Sequence, residues 1–141
     1  MHRDLKPANI LLKDAESFRP DKPFIKVTDF GFATHYSQEH KQSLSLGSPL
    51  YMAPELCREL QYDNKVDVWA VGVIIYVLLT GSPPFRGRSK EEIYRKICKS
   101  EPDQSKLASA SQEARQVIEA CLKKIPSERP SMADLLQFEW F

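Results

Sequence analysis

The chain has few cysteines, and their spacing and number argue against a zinc site and against a complete set of disulfides. Its 141 residues contain three, Cys57, Cys98 and Cys121, which are widely spaced and fit no zinc-binding pattern. An odd number also excludes complete pairing into disulfides within one chain. We therefore expect reduced thiols on apolar faces, as is typical of a cytoplasmic or nuclear protein.

Long apolar runs are missing as well. Met1 is followed directly by His, Arg and Asp, so we expect no signal peptide. The longest apolar stretch, residues 68–79, is too short to span a bilayer and predicts a helix buried on all sides. The formal net charge is only +1, which gives no bulk attraction to nucleic acid or to a membrane. We expect neither as a partner.

The pattern of apolar residues predicts a mainly α fold with a small β-hairpin. Two short strands, residues 10–12 and 24–28, would pair around a polar loop. Helices are expected at residues 53–60, 65–80, 90–100, 111–124 and 131–138, with Gly81 ending the longest and Ser89 and Ser111 as N-caps. Residues 32–49 are polar and lack periodicity, which is typical of a functional or a disordered segment.

Three short motifs are more informative than the composition. Residues 2–9 read His-Arg-Asp-Leu-Lys-Pro-Ala-Asn, residues 29–31 read Asp-Phe-Gly, and residues 53–55 read Ala-Pro-Glu. Each alone is weak, but their order and separations match the catalytic loop, metal-binding turn and activation-segment end of a protein kinase. The chain therefore resembles the eukaryotic protein kinase family over essentially its whole length. Lys6 favours the serine/threonine branch.

This resemblance implies a fold. Residues 1–141 would be a partial protein kinase domain, the protein-kinase-like C-terminal lobe from the catalytic loop onward. It would comprise a catalytic loop at 2–9, a metal-binding turn at 29–31, an activation segment at 29–55 and a helical core at 53–141. The N-terminal lobe is expected to be absent, because no Gly-x-Gly-x-x-Gly occurs among the five glycines and the strand lysine, its glutamate partner and the hinge are missing. We expect a piece of a longer kinase; a genuine lobe-only protein is the alternative.

The resemblance also assigns phosphoryl transfer to four residues. Asp4 would orient the attacking hydroxyl and accept its proton, and Lys6 would offset the charge on the transferred phosphate. Asn9 and Asp29 would bind the Mg²⁺ that accompanies ATP, through a carboxamide and a carboxylate oxygen. Alone, Asp4 and Asn9 could equally be turn residues, but the Asp-Phe-Gly motif downstream favours the catalytic interpretation.

Neighbouring residues take supporting roles by the same resemblance. His2 and Phe30 would stack in a hydrophobic column that links the lobes. Gly31 would adopt backbone dihedrals that a Cβ disfavours. The Ser48 hydroxyl would hydrogen-bond the catalytic Asp and Lys side chains.

Two further roles concern buried charge. Glu55 and Arg129 would form the buried ion pair that ties the activation segment to the helical core. Asp67 would hold the catalytic-loop backbone from below through its N–H groups, although a carboxylate at a helix N-terminus is the simpler alternative.

Arg3 raises a question of regulation. In kinases with this Arg, the guanidinium pairs with a phosphate on the activation segment. The usual phosphorylated position, four residues before Ser48, is here Leu44, and Ser43 and Ser45 flank it. The chain thus keeps the phosphate receptor while shifting or losing the donor.

Two functions stay open at this point. In the first, the chain is the catalytic half of an ATP-dependent kinase that phosphorylates protein Ser or Thr hydroxyls, and this half is inactive alone. In the second, it is a non-catalytic interaction module. The intact Asp4, Lys6, Asn9 and Asp29 favour the first, and the abrupt start favours the second. Residues 29–33 and 47–55 are similar to the unc-51-like kinases, whereas residues 67–85 fit the calcium/calmodulin-dependent group at least as well.

Overall fold

A computed structural model describes residues 1–13, 23–35 and 47–141. Within these ranges the fold is mainly α with one two-stranded antiparallel sheet, as predicted. The strands are β1 (Ile10–Leu12) and β2 (Ile25–Val27), and the helices are α1 (Pro54–Cys57), α2 (Lys65–Thr80), α3 (Lys90–Lys99), α4 (Gln112–Cys121) and α5 (Met132–Leu135). No helix among the described residues is both long and apolar enough to cross a membrane.

The predicted hairpin is confirmed, with a shorter second strand than residues 24–28. Ile10 pairs with Val27 and Leu12 with Ile25. A backbone hydrogen bond beyond the paired residues, from Thr28 N to the Asn9 oxygen at 2.9 Å, extends the ladder toward the Asp-Phe-Gly turn. The hairpin therefore places the start of that turn beside the end of the segment of residues 2–9.

Helix α2 has the bounds that the sequence predicts and forms the centre of the core. Its residues from Val66 to Ala70 and from Gly72 to Tyr76 are buried. Gly81 ends it in the left-handed conformation (φ 69°), with its N–H donating to the Val77 oxygen at 2.8 Å. The Trp69 ring stacks on Phe85 with centroids 5.8 Å apart. An apolar helix of this kind gains its stability from burial on several faces rather than from one amphipathic stripe.

The other helices are shorter than predicted, for local reasons. Helix α1 stops at Cys57 because Glu59 adopts a positive φ of 55°. Helix α4 stops at Cys121, and Ile125, which precedes a proline, is extended (φ −89°, ψ 119°). The last helix begins at its Ser131 cap and spans only Met132–Leu135. Ser89 and Ser111 cap α3 and α4 as predicted.

The three cysteines are free, as the sequence predicts. Cys121 is buried, while Cys57 and Cys98 are only half-buried, on the facing helices α1 and α3. Burial, with smaller contributions from Cys98 and Glu55, raises the pKa of the Cys57 thiol to about 12. Such a thiol is unreactive at neutral pH, which fits a structural role.

Candidate active site

A carboxylate on α2 holds residues 1–9, here called the first loop, in place. The Asp67 side chain is buried in the first turn of α2 and accepts two consecutive backbone N–H groups: His2 N to Oδ2 at 2.7 Å and Arg3 N to Oδ1 at 2.9 Å. Arg3 has a positive φ of 73°, an uncommon backbone conformation for a residue with a Cβ. These charge-assisted bonds offset its cost. The contact expected of Asp67 is therefore present.

The loop brings a carboxylate, an ammonium and a hydroxyl together. Lys6 Nζ lies 2.7 Å from Asp4 Oδ2 and donates to Ser48 Oγ at 2.9 Å. The backbone N–H of Ser48 donates to Asp4 Oδ1 at 2.9 Å. The Asp4 side chain is nearly buried, whereas that of Lys6 keeps 24% of its surface exposed. We refer to Asp4, Lys6 and Ser48 as the acceptor cluster.

The electrostatics of this cluster favour an ionised carboxylate. Burial alone would raise the pKa of the Asp4 carboxyl, but hydrogen bonds from Lys6 and Ser48 together outweigh it and lower the pKa below its ordinary value. Asp4 therefore carries its charge at neutral pH. A carboxylate has about four lone-pair positions. Lys6, the Ser48 N–H and the Asn9 amide at 3.5 Å take about three of them, which leaves room for one more donor.

Asn9 and Asp29 lie at adjoining ends of the hairpin. The Asn9 side-chain nitrogen donates to the Asp4 backbone oxygen at 2.9 Å, which leaves its Oδ1 as the potential metal ligand. The Asn9 backbone oxygen accepts from Thr28, the residue before Asp29. The Asp29 carboxylate is exposed, and its Oδ1 accepts from Gly31 N at 3.4 Å.

This pair of oxygen donors fits magnesium. Mg²⁺ takes hard oxygen ligands, usually one or two from protein and the rest from water and phosphate. Among residues 1–13, 23–35 and 47–141, no group of three or more His, Cys, Asp or Glu side chains comes together for a metal. A site here would therefore depend on the Asn9 amide oxygen, the Asp29 carboxylate and the phosphates of a nucleotide.

One expectation about the turn was wrong. Gly31 was predicted to adopt dihedrals that a Cβ disfavours, but its φ is not positive, and the left-handed backbone occurs at Asp29 (φ 60°, ψ 69°). A Cβ on Gly31 would lie 3.2 Å from Asp29 Oδ1, tighter than an ordinary contact. Glycine at this position therefore keeps space for the carboxylate rather than supplying an unusual φ.

His2 makes structural contacts on both sides of its ring. The ring centroid lies 5.0 Å from that of Phe30, with the planes tilted by 58°. Nε2 lies 3.0 Å from the Thr28 oxygen, and Nδ1 lies 3.3 Å from Asp4 N, a donor. This arrangement suits a neutral imidazole with its proton on Nε2. The expected contact between His2 and Phe30 is present, and Phe30 itself is 63% exposed.

Arg3 contacts two neutral acceptors. Its Nε donates to the backbone oxygen of Phe32, and its Nη1 donates to the Tyr62 hydroxyl at 3.2 Å. Ser43 and Ser45, which flank the usual phosphorylated position, lie outside the described residues. Nothing in the local pattern around Tyr62 pointed to this contact, because the two residues are 59 positions apart.

Glu55 and Arg129 form the expected buried pair. Nη1 lies 2.7 Å from Oε1 and Nη2 2.8 Å from Oε2, with the two side chains almost fully buried. Arg129 Nε also donates to the Lys123 oxygen at 2.8 Å. The pair joins the start of α1 to the segment before α5.

The sequence did not mark Lys124. Its Nζ lies 4.3 Å from the Phe85 ring centroid and 5.1 Å from that of Trp69, and donates to the Ile97 oxygen at 2.9 Å. Burial lowers the pKa of Lys124 to about 8, against the opposing effect of Glu101. A basic residue over two aromatic rings is recognisable only once α2 and the loop after it are in place.

Comparison with known proteins identifies the family of the chain. The model of the protein kinase domain family matches residues 1–141. The chain is 42% identical to serine/threonine-protein kinase ULK3 of Homo sapiens over 140 residues, covering 99% of this chain and 29% of that protein. It is 40% identical to calcium-dependent protein kinase 5 of Plasmodium falciparum (isolate 3D7) over 143 residues, covering 100% of this chain and 24% of that protein.

A third relative completes the comparison. Serine/threonine-protein kinase atg1 of Aspergillus fumigatus is 39% identical over 163 residues, covering 97% of this chain and 17% of that protein. The chain belongs to the protein kinase family. Both subgroups predicted from the sequence are represented among its serine/threonine kinase relatives, and it spans less than a third of the length of each.

Proposed function

We propose that the chain supplies the acceptor side of a serine/threonine protein kinase, which transfers the γ-phosphate of ATP to a Ser or Thr hydroxyl of a protein. The observation that carries the proposal is the acceptor cluster of Asp4, Lys6 and Ser48, with Asn9 and Asp29 beside it. A protein released from catalysis has no need of an ionised carboxylate, an ammonium and two oxygen ligands on one loop system.

Asp4 orients the incoming hydroxyl. Its free lone pair accepts the hydroxyl proton while Lys6 and the Ser48 N–H hold the carboxylate in place. A carboxyl with a lowered pKa is a weak base, so it acts mainly by alignment. The proton moves to Asp4 as the new P–O bond to the hydroxyl forms and the bond between the γ-phosphorus and the bridging oxygen breaks, with ADP as the leaving group. This suits a loose transition state in which the nucleophile needs little activation.

Lys6 supplies charge where the transferred group passes. Its side chain is partly exposed, and its ammonium is shared between Asp4 and the Ser48 hydroxyl, so it can contact an incoming phosphate without leaving the cluster. Three donors on one ammonium allow this. A fixed cation at this place stabilises the charge spread over the phosphoryl oxygens.

Asn9 and Asp29 hold the metal that accompanies the nucleotide. Bound Mg²⁺ supplies charge neutralisation to the phosphates. The Asn9 side chain is oriented by its bond to the Asp4 backbone oxygen, so the metal ligand and the acceptor base share one rigid loop. Such coupling positions the phosphate relative to the hydroxyl, which is the main task of the protein in this reaction.

The test is transfer of labelled phosphate from ATP to a serine peptide. The chain is joined to a nucleotide-binding lobe, since residues 1–141 contain no Gly-x-Gly-x-x-Gly loop. We expect turnover that Asp4→Asn abolishes. The matched control is Asp103→Asn, which removes an exposed carboxylate that caps a turn at Ser105, and it should retain turnover.

Failure has a defined meaning. If the joined protein binds ATP but transfers nothing to any peptide, the non-catalytic interaction module is the better description. Turnover that survives Asp4→Asn would overturn the role given to Asp4 while leaving the reaction intact.

A further inference from the structure

A short chain of contacts links a core tyrosine to the Asp-Phe-Gly turn. The Tyr62 hydroxyl accepts from Arg3 Nη1 at 3.2 Å, and Arg3 Nε donates to the backbone oxygen of Phe32. Tyr62 is only 2% exposed and belongs to the hydrophobic core. A rigid part of the molecule is therefore joined, through one guanidinium, to the turn that carries Asp29.

That turn has little packing of its own. Phe30 and Phe32 are both exposed, and Asp29 adopts a left-handed conformation without being glycine. Its hydrogen bonds to the first loop include the one from Arg3 and a backbone bond from Thr34 N to the Met1 oxygen at 3.0 Å. A turn with few apolar contacts opens easily, so each such bond has a measurable effect on its position.

Arg3 itself needs orienting. A guanidinium carries five N–H donors in a planar fork, and holding one donor on an acceptor fixes the direction of the others. With Nη1 on Tyr62, Nε faces Phe32. Without the hydroxyl, the half-buried Arg3 side chain gains rotamer freedom, and its bond to the turn is made for a smaller fraction of the time.

We propose that Tyr62 is a positioning residue: through Arg3 it holds the Asp29 turn in its metal-binding position, and it does so without a phosphate on the activation segment. The inference rests on the proposed function only in treating Asp29 as a metal ligand. In this proposal Tyr62 acts through Arg3, so it is not a catalytic residue. Both acceptors of Arg3 described here are neutral groups of the chain itself.

The test is amide hydrogen exchange in the full chain, prepared without phosphorylation. Tyr62→Phe keeps the ring in the core and removes only the hydroxyl. We expect the Ala33 and Thr34 amides to exchange roughly three- to tenfold faster, the range given by losing about one hydrogen bond from the closed state of a local opening. Amides within α4, such as that of Ile118, should not change.

Tyr76→Phe is the matched control. Tyr76 is another core tyrosine, and its hydroxyl donates to the Asp103 oxygen at 2.9 Å, away from the turn. It should leave Ala33 and Thr34 at wild-type rates. A purely structural role for the Tyr62 hydroxyl would lower global stability and raise exchange at many amides, as any core hydrogen-bond loss does.

A double variant ties the effect to Arg3. Arg3→Lys keeps the charge but loses the fork, so it should speed exchange in the turn by itself. Tyr62→Phe added to Arg3→Lys should then have no further effect on Ala33 and Thr34. In the joined protein, Tyr62→Phe should raise the Mg²⁺ concentration needed for half-maximal rate and leave kcat at saturating Mg²⁺ within about twofold of wild type.

Three results would overturn the proposal. One is an unchanged exchange rate of the Ala33 and Thr34 amides in Tyr62→Phe, including the case in which these amides already exchange fast in the unphosphorylated wild type. Another is a uniform rise across the chain in Tyr62→Phe. The third is full additivity with Arg3→Lys. Exchange needs no turnover, so a protein without kinase activity would contradict the proposed function and leave this test intact.

Discussion

Two of the ion pairs among the described residues are of opposite design. Glu55 and Arg129 meet through two parallel bonds, at 2.7 and 2.8 Å, and both side chains are sealed from solvent. Lys6 meets Asp4 through one contact of 2.7 Å, and the lysine keeps about a quarter of its side chain exposed.

The two pairs differ in how much hydrogen-bonding capacity they keep for a further partner. Further donors of Arg129 are taken by the backbone oxygens of Lys123 and Lys65, so the pair has little capacity for another partner. Asp4 is also buried but keeps about one free lone pair, and the Lys6 side chain stays partly exposed. A closed pair holds the start of α1 to the segment before α5, whereas under the proposed function an open pair would exchange its contacts with a substrate and recover them.

Breaking the closed pair should have the largest effect on stability. Glu55→Gln leaves a buried guanidinium without its counter-charge, which we expect to lower the free energy of unfolding by about 3–5 kcal/mol. Urea unfolding followed by tryptophan fluorescence measures this. The control is Glu119→Gln, which breaks the exposed Lys123–Glu119 pair of 2.9 Å and should cost less than about 1 kcal/mol. Equal costs would remove the distinction between the pairs.

Breaking the open pair should act on turnover instead. In the joined protein, Asp4→Ala should lower kcat by about a hundredfold or more with little change in ATP affinity, because the group that orients the hydroxyl is lost. Lys6→Ala should behave similarly. Asp29→Ala should weaken productive ATP binding as well, since a metal ligand is lost. Steady-state kinetics with nucleotide titrations separate these cases, and a fast Asp4→Ala enzyme would favour the non-catalytic description.

A smaller effect is expected at the hydroxyl of the acceptor cluster. Ser48→Ala removes one acceptor of the Lys6 ammonium but keeps the backbone N–H that holds Asp4, so kcat should fall only about fivefold. Ser48→Thr should restore the rate. Ser82→Ala is the control, because Ser82 Oγ accepts from Lys106 at 2.9 Å far from the loop. An equal loss of rate in both Ser→Ala variants would contradict the special role of Ser48.

The smallest effect concerns neighbouring lysines with different surroundings. The pKa of Lys124 is about 8 in the folded state, below its ordinary value of 10.5, so the folded chain binds fewer protons than the unfolded chain between these values. The contribution of Lys124 to stability therefore rises with pH across that window. The free energy of unfolding of Lys124→Met, relative to wild type, should fall as pH increases from 8 to 10.5.

Lys123 supplies the opposite sign. Its hydrogen bond to Glu119 raises its pKa above 10.5, so its contribution is present below that value and is lost as pH rises through the folded pKa. The free energy of unfolding of Lys123→Met, relative to wild type, should thus rise above pH 10.5 and stay constant between pH 8 and 10. Parallel pH profiles for the two variants would contradict the assignment of burial as the cause at Lys124.

Much of this architecture follows from local signals in the chain. Apolar residues over 16 positions and the glycine after them defined α2, and serine caps defined the starts of α3 and α4. The lengths of the short helices were overestimated. Glu59 and Ile125 depart from helical geometry for reasons that appear only in the folded chain. The motifs gave the residues of the acceptor cluster; their catalytic roles stay predictions.

What could not be predicted depends on contacts between distant segments. The left-handed backbone at Arg3 and Asp29 could not be predicted from local sequence. Both residues carry a Cβ, and residues with a Cβ seldom adopt this conformation. The Tyr62 contact and the position of Lys124 likewise need α2 in place. Burial and partner geometry, rather than residue type, decide these features.

The anchoring of the first loop by Asp67 has a consequence for folding order. The bonds that shape the site join residues far apart in the chain: 65 positions for His2 and Asp67, 59 for Arg3 and Tyr62, and 42 for Lys6 and Ser48. Contacts of such separation carry a large loop-closure entropy and form slowly. Since Asp67 can hold the first loop only when α2 is packed, the geometry of the candidate site should form after this helix rather than before it.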